Sequence, residues 1–434
     1  MTTHAKAATP LLRGLRRGDM VGLTLNNMIG AGVFTLPAAL AAGAGSWGLA
    51  VLVVTVVLVS LMALCLVEVA SRYDVTGGPM IYAASAFGPL AGFIVGWLMY
   101  LSRLAAFGAI AAIMLDYGAG LWPALGVTAV RTLVITVFIG ALTAINLRGV
   151  IRGALASNVL MALKLLPLVL LAAAGVRLAG GTIGPSSAPP GLGGLGGAML
   201  IAFFACMGFE QPAVVAGEAR DPRRDLPAGI LGGVAGVGVL YTLLLLVCVQ
   251  TVPDLAHARR PLADAAAALV GPHGATVVSL AAVLSCAGSL SVWMIVSPRV
   301  LYALAGQGDV PHIFATVDPI RHTPGAAIAT SALLAWILTV SGTFVYLATF
   351  SAMARLLMYA STCAALMALR RRDGPAPIPI VLGPLWAVLA LACALVALGT
   401  TTGTELRDVS IAIGLGCAGR TAVRHWTRPA IVMP

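Results

Sequence analysis

Charged residues are scarce in this sequence of 434 residues. They make up 9% of the chain, whereas 60% of its residues are hydrophobic. A soluble domain needs about a quarter of its residues charged to cover its surface, so the composition excludes that class. The apolar runs, such as 49–67 and 230–249, also lack the alternation typical of a membrane β-barrel.

The apolar runs are about as long as the ~20 residues that a helix needs to cross the hydrocarbon core. We therefore predict an all-α polytopic membrane protein of about 12 spans. The predicted spans are 19–42, 46–70, 82–117, 129–147, 156–178, 196–218, 227–251, 274–305, 325–341, 344–369, 380–400 and 408–422.

The net charge of +11 does not indicate a nucleic-acid partner, because the basic residues lie in short loops between apolar runs. With the N-terminus inside, 18 Lys and Arg residues fall on the cytoplasmic side and 5 outside. This predicts a multi-pass protein of the cell (inner) membrane, with the bilayer as its surroundings and both termini cytoplasmic. The seven cysteines are scattered, so no metal or other cofactor is expected.

Glycines interrupt two of the predicted spans near their middle. The first span contains Asn-Asn-Met-Ile-Gly-Ala-Gly-Val-Phe at 26–34, and the sixth contains Phe-Phe-Ala-Cys-Met-Gly-Phe-Glu-Gln-Pro at 203–212. Interrupted helices at corresponding places in two halves of a chain indicate a transporter binding site. The alternative is that the glycines serve close helix packing, which is common in membranes.

Four segments, in order, resemble the amino acid–polyamine–organocation (APC) superfamily of permeases over roughly residues 15–375. They are Ile-Gly-Ala-Gly-Val-Phe at 29–34, Glu-Val-Ala-Ser-Arg at 68–72 with Gly-Gly-Pro at 77–79, Gly-Phe-Glu at 208–210 with 217–227, and Pro-Arg-Val-Leu-Tyr-Ala-Leu at 298–304 with Gly-Asp-Val-Pro at 308–311.

The resemblance implies a leucine-transporter-like fold, in which two five-helix repeats of opposite orientation are followed by two further helices, with helices 1 and 6 broken. The implied units are a cytoplasmic head at 1–18, repeat 1 at 19–178, repeat 2 at 196–372, two helices at 380–422 and a cytoplasmic tail at 423–434.

A broken helix offers unpaired backbone groups, which are tolerated at membrane depth only around a cavity or inside protein. Free N–H groups at Gly30, Ala31 and Gly32 would suit a carboxylate, and nearby free carbonyls would suit an ammonium. Similar permeases bind the backbone of an amino acid in this way. The resemblance implies binding residues Met28, Ile29, Gly30, Ala31, Gly32, Cys206, Met207 and Gly208.

Phe204 and Trp293 lie where an antiporter of the family has aromatic gate and stacking residues. They are expected to shape the pocket for the substrate side chain, and core packing is the alternative.

Lys164 is one of only two lysines and falls in the middle of the fifth predicted span. A buried ammonium is costly and burial favours the uncharged amine, so its proton can leave near neutral pH. In proton-coupled members of the family, a lysine in this span takes the place of a sodium ion and bridges the first and eighth spans. This predicts proton coupling through Lys164, near Gly30 and Ser289, although a structural ammonium held by carbonyls is the alternative.

Glu210 matches a proton-sensitive glutamate of the family, or else it caps the helix that follows. Arg103 and Arg355 also fall deep in predicted spans. A structural ion pair is the expectation for both arginines, with Glu210 or Asp116 as a partner for Arg103.

These features together predict proton-coupled symport of an amino acid, with a neutral side chain favoured because the binding regions hold no obvious extra carboxylate. A deep arginine could instead favour an acidic substrate, and amino acid exchange is the alternative mode. The sequence lacks the H-E-x-x-H motif and any P-loop, so neither an enzyme nor an ATP-driven pump is expected.

Overall fold

The computed structural model describes residues 16–73, 78–148, 164–174, 191–214, 220–319, 321, 323–399 and 403–426. Their regular structure is helical, as predicted. The α-helices are α1 (Arg17–Met28), α2 (Gly32–Ala44), α3 (Gly48–Ala70), α4 (Pro79–Phe87), α5 (Pro89–Ala119), α6 (Thr128–Leu147), α7 (Lys164–Ala174), α8 (Leu192–Ala205), α9 (Gln211–Val214), α10 (Pro222–Thr251), α11 (Pro261–Val270), α12 (Pro272–Gly306), α13 (Gly325–Ser341), α14 (Phe344–Asp373), α15 (Gly383–Gly399) and α16 (Gly403–Trp426).

Six helical stretches in the described part of the chain are long and apolar enough to cross a membrane, judged by length and composition. The other predicted spans correspond to shorter apolar helices, to divided helices, or to α16. The prediction of a polytopic α-helical membrane protein is therefore confirmed. The six stretches are Gly32–Ala70, Pro89–Ala119, Thr128–Leu147, Arg224–Thr251, Pro272–Gly306 and Phe344–Asp373.

Both predicted interruptions are present. The first span is divided into α1 and α2, which are separated by residues 29–31. The sixth span is divided into α8 and the short α9, which are separated by a turn over residues 206–210. We call these two points the first break and the second break.

The structure corrects three boundaries. Gly88 adopts a φ of +91°, a left-handed conformation that favours glycine, and this separates α4 from α5 within the predicted third span. Helix α11 occupies a segment that was predicted to be a loop. Helix α16 has 24 residues, so the predicted last span, 408–422, is part of a longer helix. Of the predicted fifth span, only 164–174 lies within the described residues.

Helix α5 lies at the centre of the bundle. It packs against α4, α12, α13 and α14, and most of its apolar stretch is buried. By contrast, α6 lies at the periphery, with most of its apolar stretch exposed. Side chains from the middle of α5 therefore face protein rather than lipid, which is where ionisable residues are tolerated inside a membrane.

Candidate substrate-binding site

The two breaks pack directly against each other. Gly208 adopts a φ of +110°, and a Cβ atom there would lie 2.9 Å from the backbone carbon and oxygen of Asn27. A Cβ atom on Gly32 would lie 2.7 Å from the Cα atom of Ala205. Only glycine allows these approaches, so the glycines of one break bring its backbone against the other.

The first break presents free hydrogen-bond donors. The N–H groups of Ala31, Gly32 and Val33 have no acceptor among the described residues, and they lie at the start of α2. The expectation of a free N–H at Gly30 is wrong, because this group donates to the carbonyl of Met28 at 2.8 Å, whereas the part of Gly30 in substrate binding stays a prediction. Val33 was not predicted, and it completes a set of three donors at the positive end of a helix.

The breaks also present free acceptors. The carbonyl groups of Asn27, Ile29, Cys206 and Met207 accept no hydrogen bond from any described residue. The carbonyls of Met28 and Ala205 are different, since the hydroxyl of Tyr241 lies 2.8 Å from the first and 3.0 Å from the second and donates to them. The hydroxyl of Tyr241, on α10, therefore ties the end of α1 to the end of α8.

A cavity lies beside the breaks and holds about 660 Å³ of empty space, including its opening. Eight predicted binding residues line it, whereas Ile29 and Cys206 are buried behind the lining. Helices α5, α12 and α14 complete the wall. The lining residues are Asn27, Met28, Gly30, Ala31, Gly32, Arg103, Ile110, Phe204, Ala205, Met207, Gly208, Gln211, Val292, Trp293, Val296 and Arg355.

The two predicted aromatic residues both line the cavity and also pack against neighbours. Phe204 makes an edge-to-face contact with Phe344 of α14, with ring centroids 6.3 Å apart. The guanidinium of Arg355 lies over the ring of Trp293, 5.4 Å from its centroid. The packing alternative and the cavity-lining role are therefore compatible for each residue.

Glu210 and Arg355 form a buried ion pair beside the second break. The Nη1 atom of Arg355 donates to Glu210 at 2.7 Å, and the hydroxyl of Tyr359 and the N–H of Gly208 also donate to that carboxylate, at 2.5 and 3.1 Å. The Nε atom of Arg355 donates to the hydroxyl of Ser102 at 3.0 Å. Among the described residues, the donors to the Glu210 carboxylate come from the turn and from α14 rather than from α9, so the geometry does not correspond to a cap of α9.

Arg103 has no such partner. It is 5% exposed and lines the cavity, yet its guanidinium makes no hydrogen bond or ion pair with a described residue. The partners considered for it are engaged elsewhere, because Glu210 binds Arg355 and Asp116 binds Arg131 at 2.7 Å. The expected ion pair is thus present for Arg355 and absent for Arg103.

Lys164 begins α7 and is 5% exposed. Its Nζ atom donates to the carbonyl of Asn26 at 2.6 Å, one helical turn before Gly30. Its charge also interacts with the thiol of Cys286 in α12, one turn before Ser289. Lys164 therefore lies between α1 and α12, displaced by one turn on each helix from the expected neighbours.

Sequence reasoning missed the two tyrosines that hold the breaks. Tyr241 lies within the apolar run 230–249, and Tyr359 lies four residues after Arg355 on α14. Isolated hydroxyl groups in apolar runs were the available signal, because a buried polar group requires a partner.

A family profile described as amino acid permease matches residues 19–410 of the chain. An uncharacterized transporter of Mycobacterium tuberculosis is 28% identical over 93% of this chain and 90% of its own length. The methylthioribose transporter of Bacillus subtilis is 27% identical over 72% of each chain. The serine/threonine exchanger SteT of the same organism is 25% identical over 92% of this chain and 93% of its own. The chain therefore belongs to the amino acid permease family of the APC superfamily and is a multi-pass membrane protein.

Proposed function

We propose that this permease carries an amino acid through the cavity between the two breaks, together with a proton. The observation that carries the proposal is the pairing of free donors with free acceptors. The N–H groups of Ala31 and Gly32, which line the cavity, match an α-carboxylate, and the carbonyls of Asn27 and Met207, which also line it, match an α-ammonium. A zwitterion carries both groups a short distance apart.

Substrate binding to these groups depends on how the breaks are held. Polar backbone groups at a break are tolerated only where they line a cavity or are buried in protein, and a bound amino acid would satisfy those that line the cavity. Closure around a bound amino acid would draw α1, α2 and α8 together. Alternating access then follows if the bound form can open to either side of the membrane.

The proton is assigned to Lys164. Its ammonium holds the carbonyl of Asn26 on α1, and loss of the proton would weaken that hold, so protonation is linked to the position of α1. Both oxygens of Glu210 already accept hydrogen bonds from three donors. We therefore assign Glu210 to fixing the second break, and its predicted part in proton coupling stays a prediction.

The excess of Lys and Arg in one set of loops supports placement in the cell membrane with both termini in the cytoplasm. Protons that enter the cell down their gradient would then carry the amino acid inward. The alternative mode is exchange of one amino acid for another, which is favoured by the similarity to a serine/threonine exchanger. A chemical reaction on the substrate forms no part of the proposal.

Uptake by purified protein in proteoliposomes tests the proposal. Vesicles are given an inward proton gradient and a panel of labelled amino acids, with and without unlabelled amino acid inside. Symport predicts accumulation in empty vesicles that collapses when a protonophore is added. Accumulation only in preloaded vesicles, regardless of the gradient, would establish exchange instead, and no uptake or binding of any amino acid would refute the substrate class.

The variant Lys164→Ala separates the coupling role from a structural one. It should lose gradient-driven accumulation, since the proton carrier is gone, while still inserting in the membrane and binding substrate. Lys6→Ala is the matched control, because Lys6 is the other lysine of the chain and lies in the predicted head. Accumulation by Lys164→Ala at the wild-type level would show that Lys164 is not the coupling residue.

A further inference from the structure

Two arginines line the same cavity, and within the described part of the chain only Arg355 has a partner that compensates its charge. Arg355 is held by Glu210 and Ser102 and lies over Trp293. Arg103 has none of these contacts, although its charge interacts with those of Arg355 and Glu210. The ion pair uses the charge of Glu210, so the guanidinium of Arg103 has no counter-charge among the residues that the structure describes.

An uncompensated guanidinium in the interior of a membrane protein is costly, and such residues mark substrate or ion pathways. None of the described residues that line the cavity is acidic. The wall therefore carries a positive excess that no described residue neutralises. An anionic group on the ligand would neutralise it.

A neutral amino acid does not supply that group. Its α-carboxylate is accounted for by the N–H groups at the start of α2, and its ammonium by the carbonyls of the breaks, so a zwitterion adds no net charge. Arg103 comes from α5, a different wall from the two breaks. A substrate held by its backbone at the breaks has only its side chain left to reach α5.

We propose that the substrate is an amino acid with a carboxylate side chain, and that the guanidinium of Arg103 binds that carboxylate. The inference rests on the proposed function, because it assumes that the substrate backbone occupies the breaks. A guanidinium suits this role, since its planar fork can donate two parallel hydrogen bonds to one carboxylate. Aspartate and glutamate are the substrates of this chemistry, in place of the neutral side chain favoured by the sequence.

The matched amides provide the sharpest comparison. Asparagine and glutamine have nearly the same size and shape as aspartate and glutamate but carry no side-chain charge. Wild-type protein in proteoliposomes should take up labelled aspartate or glutamate, and the acids should compete at least 10-fold better than their amides. A charged hydrogen-bonded pair supports discrimination of about 10- to 100-fold.

The variant Arg103→Gln should lower kcat/KM for the acids about 10- to 100-fold and change that for the amides far less. Arg103→Lys should restore part of the preference, because it keeps the charge without the fork. Arg131→Gln is the control, since it removes an arginine that pairs with Asp116 outside the cavity. It should leave the ratio of acid to amide transport at its wild-type value.

The results separate this inference from the proposed function. Uptake of neutral amino acids with no preference for acids over amides overturns the role of Arg103 and leaves amino acid transport intact. An equal loss for acids and amides in Arg103→Gln also overturns it, because Arg103 would then bind the α-carboxylate. Absence of transport or binding for every amino acid overturns both. If Arg103→Gln fails to fold, the melting temperature of wild-type protein is measured with aspartate and with asparagine. A larger increase with aspartate supports the inference, and equal increases overturn it.

Discussion

The two breaks differ in how they are held. At the second break, the carboxylate of Glu210 accepts hydrogen bonds from Gly208, Arg355 and Tyr359, so a buried ion pair anchors the turn to α14. At the first break, no charged pair is present among the described residues. Backbone carbonyls there accept hydrogen bonds from the hydroxyl of Tyr241 and, one turn earlier, from the ammonium of Lys164.

This difference suggests a division of labour. The charged network makes the second break a fixed wall, because charge-assisted hydrogen bonds are roughly twice as strong as neutral ones. The first break is held by fewer bonds, and one of them depends on a proton. We therefore expect the first break to be the part that moves with α1 during transport, in agreement with the coupling role proposed for Lys164.

The largest expected effect on stability comes from breaking the ion pair at the second break. Glu210→Gln leaves the guanidinium of Arg355 buried without a counter-charge, so the free energy of unfolding should fall by about 3–5 kcal/mol. The double variant Glu210→Gln with Arg355→Gln should recover much of that loss, because no charge is then left unpaired. Denaturant titration of the purified protein in detergent measures both.

The control for this prediction is Asp116→Asn. It also removes one partner of an ion pair with an arginine, but both side chains of that pair are about a quarter exposed. Because partly exposed ion pairs contribute little to stability, the free energy of unfolding of Asp116→Asn should stay close to that of the wild type. If Glu210→Gln is no less stable than Asp116→Asn, the second break is not anchored by charge, and the contrast between the breaks fails.

A smaller effect is expected where a neutral hydroxyl joins the two breaks. Tyr241→Phe removes the donor that serves the carbonyls of Met28 and Ala205 and leaves them buried without it. The free energy of unfolding should fall by about 1–2 kcal/mol, less than for Glu210→Gln. The same denaturant titration measures it.

Tyr302→Phe is the matched control, because the hydroxyl of Tyr302 has no hydrogen-bond partner in the part of the chain that the structure describes, and its side chain is partly exposed. This control should unfold like the wild type. A loss in Tyr241→Phe as large as that in Glu210→Gln would mean that the two breaks are held equally firmly, contrary to the proposed division.

The fold and the place of the breaks could be predicted from the sequence because both depend on local signals. Apolar runs of about 20 residues indicate spanning helices. Gly30, Gly32 and Gly208 stand out within such runs, and the structure places breaks at them. Lys164 stands out because a lysine inside a span requires an explanation.

The pairing of side chains could not be predicted, because it depends on contacts between residues far apart in the sequence. Arg103 and Arg355 are equivalent in the sequence, since both fall deep in predicted spans. In the structure, however, Arg355 is the one that forms the ion pair with Glu210. The donation from Gly30 to Met28, which removes one expected free N–H, depends on the local path of the backbone. The boundary between α4 and α5 did carry a local signal, because the Gly-Pro pair at 88–89 marks a turn within the apolar run.

The central claim is that bare backbone groups at the two breaks bind an amino acid zwitterion. A structure of the purified protein with a transported amino acid bound tests it most directly. The α-carboxylate should lie within hydrogen-bond distance of the N–H groups of Ala31 and Gly32, and the ammonium should face the carbonyls of Asn27 or Met207. A bound amino acid that leaves these groups untouched, or α1 and α2 joined into one continuous helix through Gly30, would contradict the account.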